Sequence, residues 1–97
     1  MRKLSEIKGE EALDVLADML VPITAIANDE EVREGFNTNV ATCASVALKK
    51  HKDDVIDMLA ALDGRSREEM LEDINILTLP AVLVEILNEP AVQSLFR

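Results

Sequence analysis

Apolar residues recur every three or four positions along most of this chain, which is the spacing of one face of an α-helix. The first such stretch runs from Gly9 to Leu20. Its predicted buried face consists of Leu13, Leu16, Ala17 and Leu20, widened by Ala12, Val15 and Met19. The acids Glu10, Glu11, Asp14 and Asp18 fall on the opposite side. Pro22 then predicts a break or bend, because proline cannot continue a helix without a kink but can open a new one.

The middle of the chain contains further start and stop signals. Asn28-Asp29 is a cap for a short helix from Glu30 to Phe36, and Gly35 to Asn39 is predicted to be a loop. Two apolar stretches follow, the first ending at Lys50 and the second at Asp63-Gly64, a left-handed C-terminal cap. Their apolar positions are Val40, Cys43, Ala44 and Ala47, then Val55, Ile56, Leu59 and Leu62. Two antiparallel helices around His51, or one kinked helix, both fit this pattern.

The last third begins with Ser66-Arg67-Glu68-Glu69, which fits a capping box for a short helix to about Asp73. Ile74 to Leu77 is predicted to be an extended linker. Thr78 then caps a helix with Pro80 in its first turn, running to about Asn88, and Pro90 opens a final turn. The pattern therefore predicts an all-α fold, one compact domain over residues 1–97 with five to seven short helices.

Composition narrows the classes of function. The chain is 48% hydrophobic but only 2% aromatic, which suits helices packed through Leu, Ile, Val, Met and Ala. Its net charge of −9 repels phosphate and anionic lipid, so we expect no nucleic-acid or membrane role. Cys43 is the single cysteine and excludes an internal disulfide, and no signal peptide or membrane span is evident. We therefore expect a cytoplasmic protein.

Candidate chemistry is sparse. The acids Glu10, Asp14 and Asp18, and likewise Asp53, Asp54 and Asp57, are better explained as solvated helix faces than as metal ligands. Cys43 lies in line with buried apolar positions, while His51, eight residues further on among lysines, is expected at the surface. There is no phosphate loop, nucleophile elbow or HExxH motif. We predict no catalytic residue, no cofactor and no metal site.

The predicted helix from Leu79 to Asn88 is apolar around most of its circumference, with Glu85 as its only charge. Such a helix is either central in a core or covered by a partner. The face Leu79, Val82, Leu83 and Ile86 is predicted to fill the core. The residues that remain as candidates for partner binding are Ala81, Val84, Val92, Leu95 and Phe96.

Three stretches resemble one protein family. They are "HKDDVIDMLAALDG", "SREEMLEDINILTLPAVLVEILNEPAVQSLF" and the N-terminal "MRKLSEIKGEEALDVLADMLVPITAIANDEEV". Together they resemble the small α-helical tail assembly chaperones of long-tailed bacteriophages and prophages of Gram-positive bacteria. The likeness extends from Leu4 to Phe96, with little contribution from Phe36 to Ser45. None of the stretches is a catalytic signature.

The resemblance implies a non-catalytic protein in the cytoplasm of the bacterial host. Such chaperones bind the tape measure protein until tail tube subunits polymerise around it, and they are absent from the finished particle. The alternative is a small acidic structural or regulatory protein that forms homo-oligomers through the same apolar helix. An enzyme or DNA-binding regulator ranks last, because the best helix pair for DNA binding, 53–73, has eight acids and two bases.

Overall fold

A computed structural model describes residues 4–96 of the chain, except for the side chains of Leu4, Ala91 and Phe96. Across these residues the structure is all-α and contains no strand, which confirms the predicted fold class. Three-residue 3-10 turns stand at Leu4–Glu6 and Ser94–Phe96. The α-helices between them are α1 (Glu10–Ala27), α2 (Glu30–Thr38), α3 (Val40–Lys50), α4 (Lys52–Asp63), α5 (Arg67–Asp73), α6 (Leu79–Asn88) and α7 (Pro90–Gln93).

Three of the predicted helix-end signals are confirmed. The Asp29 side chain accepts hydrogen bonds from the backbone N–H groups of Glu31 and Val32 and so caps α2. Ser66 and Glu69 form both halves of the capping box that starts α5. Gly64 ends α4 with a φ of 66°, a left-handed conformation that glycine adopts without a steric penalty.

Of the break or bend predicted at Pro22, the break is wrong, because α1 continues through it to Ala27. Proline in a helix interior removes one backbone hydrogen bond and crowds the preceding turn. Here Pro22 is itself buried, and the turns beyond it place Ile23, Ile26 and Ala27 in the core. Burial of these side chains offsets the local cost, since each large aliphatic group contributes roughly 1.5–3 kcal/mol.

The predicted loop from Gly35 to Asn39 is also wrong for most of its length. α2 runs to Thr38, and Asn39 alone separates it from α3, which its side chain caps by accepting from the Thr42 N–H. Gly35 is buried, and a Cβ there would lie 3.2 Å from the backbone N and Cα of Cys43. The glycine therefore allows α2 and α3 to approach closely.

The junctions before α4 and before α6 test two further predictions. His51 alone separates α3 from α4, so the chain forms two helices there. The linker before α6 is non-helical, but residues 76–78 form a turn, so the predicted extended conformation is wrong there. Pro80 lies in the first turn of α6, as predicted. Thr78, however, makes no side-chain cap. The Asn75 side chain instead accepts from the N–H groups of Leu77 and Thr78, at 2.9 and 3.1 Å.

The core lies between two helix pairs and the C-terminal helices. α1 packs mainly on α4, α2 packs on α3, and α3 also contacts α6. The predicted core role of α6 is confirmed, with Leu83 and Ile86 buried and Leu79 and Val82 partly buried against the core. The most deeply buried side chains come from α2 to α5, and they are Val32, Cys43, Leu59, Leu62 and Met70.

Candidate partner-binding surface

The structure divides the predicted partner-binding residues between surface and core. Ala81 and Val84 lie on the outer side of α6, where Val84 is 44% exposed, and Leu95 is exposed in the final turn. Val92 is only 8% exposed and belongs to the core, so its expected place on a partner surface is corrected. The Phe96 side chain lies outside the described part of the chain.

A larger exposed apolar surface lies on α1, where the sequence placed a buried face. Leu13, Leu16 and Leu20 are 69%, 55% and 41% exposed, and we call these three residues the α1 leucine face. The residues of α1 that are buried instead are Val15, Met19, Pro22, Ile23, Ile26 and Ala27. The prediction is confirmed for Val15 and Met19 at the edge of the predicted face and is wrong for the three leucines, because the apolar arc of α1 is wider than its neighbours cover.

A groove of about 350 Å³ lies beside this face, between α1 and the C-terminal turns. Leu16, Leu20 and Leu95 line it together with Glu89. The buried Val92 also lines it, so the groove opens directly onto the core. We call this the α1 groove. Its shape and apolar walls suit side chains that protrude from another polypeptide.

The acidic residues of α1 lie mainly away from the α1 leucine face. Glu10, Asp14 and Asp18 are spaced four residues apart, so they form a row along one side of α1, and we call them the acidic row. Glu89 lies at the groove on the opposite side. α1, α6 and α7 contain no Lys, Arg or His. Glu89 therefore places a negative charge at the groove, whereas the acidic row lies on another side of α1.

The turn before α6 exposes two more apolar side chains. Ile76 and Leu77 are 86% and 87% exposed. The Asn75 side chain accepts hydrogen bonds from two backbone N–H groups of this turn and so holds its conformation. Neither residue lines the α1 groove, so this turn is an exposed apolar site separate from it.

The imidazole of His51 links the start of α2 to α4. Nε2 lies 2.8 Å from Oδ2 of Asp29, at the start of α2, and Nδ1 lies 3.2 Å from Oδ2 of Asp54 in α4. The hydrogen bond to Asp29, and then that to Asp54, raise the pKa of His51 above its usual value against the opposing effect of burial. Bonds from His51 and Lys50 hold the pKa of Asp29 well below its usual range. The expected surface position of His51 is thus corrected to a partly buried bridge.

This bridge predicts a loss of stability at alkaline pH. The folded-state pKa of His51 is raised, so its contribution is complete below the unfolded pKa and disappears as pH rises through the folded-state value. Between about pH 6 and about pH 9, the free energy of unfolding should therefore fall by roughly 1 kcal/mol less in His51→Gln than in the wild type. Urea denaturation at several pH values measures this. Lys52→Gln, which removes an exposed neighbouring charge, should keep the wild-type dependence of stability on pH. The same change in the free energy of unfolding with pH in all three proteins would contradict the bridge.

Cys43 is buried in α3, as its position in the apolar pattern predicted. Burial raises the pKa of its thiol, which keeps the sulfur protonated at neutral pH. A protonated, buried thiol is a poor nucleophile, so Cys43 acts here as a small core residue.

Within residues 4–96, no three His, Cys, Asp or Glu side chains are arranged to hold a metal ion. None of the helices described is long and apolar enough to span a bilayer. Comparison with protein families, with curated proteins and with solved structures finds no match to this chain.

Proposed function

We propose that this protein is a tail assembly chaperone of a long-tailed phage or prophage, a non-catalytic protein that binds the tape measure protein during tail assembly. The observation that carries the proposal is the α1 leucine face, which leaves three large apolar side chains in water beside an apolar groove. A contiguous exposed apolar surface of this kind is typical of a protein-binding site. The sequence resemblance supplies the identity of the client.

The outer side of α6 supports the same role. Ala81 and Val84 are exposed there, and Leu95 lies at the α1 groove. A tape measure protein is a very long helical chain with apolar stretches, and a client helix needs an apolar surface on which to pack. The remainder of this chain is strongly acidic, which favours solubility of the complex.

Self-association is the second candidate, and the exposed Val84 on α6 favours it. A second copy that covers the outer side of α6 would bury the same residues as a client. Light scattering separates the two possibilities, because a stable monomer at high concentration excludes the homo-oligomer and leaves the apolar surface for a different protein.

Co-expression with the tape measure protein encoded downstream tests the proposed function. We expect this protein to co-purify with its client and to increase the soluble client several-fold. Val84→Asp should reduce co-purification about tenfold, because the interface would bury an unpaired carboxylate. Asn88→Asp is the matched control, since it adds the same charge to an exposed position of α6 and should have little effect.

Two results would contradict this account. Unchanged client solubility and no co-purification with the wild-type protein would remove the proposed function. If Val84→Asp unfolded the domain in a thermal melt while Asn88→Asp did not, Val84 would be part of the core and not of the binding surface.

A further inference from the structure

We infer that residues 4–8, which we call the α1 strap, cover part of the α1 groove in the free protein and swing away about Gly9 when a client binds. The strap is then an autoinhibitory element, because its Ile7 side chain competes with the client for the same apolar surface. This inference rests on the proposed function, since it describes how access to that binding surface is regulated.

A single side chain attaches the strap to the core. Among the described side chains of the strap, Ile7 is the one that packs against the core, and it lines the α1 groove. Val15 and Met19 belong to the core and line the same groove. Release of the strap therefore detaches one partly buried aliphatic side chain. A client that places its own apolar side chain at this position offsets the loss.

Gly9 joins the strap to α1 in a conformation that only glycine adopts readily. Its φ is 68° and its ψ is −145°, where the Cβ of any other L-residue would be strained. The Ala12 N–H donates a hydrogen bond to the Gly9 carbonyl oxygen, so the first turn of α1 is anchored there. Rotation about the N–Cα bond of Gly9 moves the strap and leaves that carbonyl in place. Gly9 is therefore positioned to act as a hinge.

The surroundings of Gly9 make it a clean probe of this hinge. A Cβ added at Gly9 would meet no atom within 4 Å. A substitution there consequently creates no clash with the rest of the protein and acts through the backbone conformation alone. Any effect on the groove must then arise from a change in the position of the strap.

Two alanines of opposite chirality, placed at Gly9 in chemically synthesised full-length protein, test the hinge. Gly9→Ala disfavours the observed conformation. Gly9→D-Ala favours it, because the mirror image of this conformation lies in the polyproline II region. The δ1 methyl signal of Ile7 in NMR spectra should move toward that of an unfolded chain in Gly9→Ala and keep its wild-type position in Gly9→D-Ala.

Titration calorimetry with a soluble fragment of the tape measure protein tests the autoinhibition. Gly9→Ala should bind the fragment about fivefold more tightly than the wild type, because a larger fraction of the protein has an open groove. Gly9→D-Ala should bind about twofold more weakly. Ile7→Ala removes the anchor of the strap and should also bind about fivefold more tightly. Ser5→Ala is the matched control at an exposed position of the strap and should bind like the wild type.

Three outcomes would overturn the inference. An Ile7 methyl signal that Gly9→Ala leaves unchanged would show that the strap does not move about Gly9. Weaker binding by Ile7→Ala would make Ile7 part of the binding surface instead of its inhibitor. Equal affinity of the wild type and both Gly9 variants would exclude autoinhibition and leave the proposed function intact. By contrast, a fragment that neither the wild type nor any variant binds would refute the proposed function itself, and with it the regulatory role of the strap.

Discussion

Replacing Leu59 by alanine should lower the free energy of unfolding by about 3 kcal/mol. Leu59 is fully buried in α4, the helix on which α1 packs, so alanine removes its contacts and leaves a cavity in the core. Domains of this size are stable by only about 5–15 kcal/mol, so the loss is a large part of the total. Urea denaturation followed by circular dichroism measures it.

Leu13→Ala is the matched control for that experiment. It removes the same atoms from a helix at a position that is 69% exposed, so the free energy of unfolding should change by less than about 0.5 kcal/mol. A loss at Leu13 as large as that at Leu59 would mean that the α1 leucine face is covered in the protein alone, and the proposed binding surface would then not exist.

Leu16→Asp should reduce affinity for the tape measure protein at least about thirtyfold, which corresponds to roughly 2 kcal/mol. The new carboxylate would lie within the apolar interface, where it loses hydration and finds no cation on α1, α6 or α7. The domain itself should remain folded, because Leu16 is more than half exposed. Titration calorimetry with a soluble client fragment gives the affinity, and a thermal melt gives the stability.

Ala25→Asp controls for the added charge. Ala25 is exposed on α1, and its helical position places it on the side of the acidic row, away from the α1 leucine face. We expect its affinity for the client to stay near that of the wild type. If both aspartates weakened binding equally, the effect would come from net charge. If neither did, the client would bind elsewhere.

Local signals made most of the helix ends predictable. The signals act through hydrogen bonds or backbone conformations within three residues, so they can be recognised from the sequence alone. They are the Ser66–Glu69 capping box, Gly64 and Asp29. The same is true of Pro80, whose missing N–H costs little in the first turn of α6. These signals set the element boundaries without knowledge of the packing.

The candidate site depends on packing, and sequence reasoning placed it only in part. Apolar residues surround most of α1, and periodicity shows the width of that arc but not which side α4 will cover. Val15 and Met19 were therefore buried in place of Leu13 and Leu16. The width of the arc was a usable signal, since a helix at the edge of a small domain cannot bury all of it.

Contacts between residues far apart in the sequence also could not be predicted from local sequence patterns. His51 meets Asp29 across 22 residues of sequence, a contact that the arrangement of α1 to α4 creates. Gly35 resembled a loop signal because glycine is poor in helices, whereas its role is to let α3 approach. In both cases the residue type was informative only once the neighbouring helix was in place.

Methyl NMR of leucine-labelled protein, titrated with a soluble fragment of the tape measure protein, tests the central claim most directly. The account predicts that the methyl signals of Leu13, Leu16 and Leu20 shift or broaden on binding, while those of Leu77 stay in place. If saturating client left the signals of the α1 leucine face unchanged, or moved only those of Leu77, the account would be contradicted.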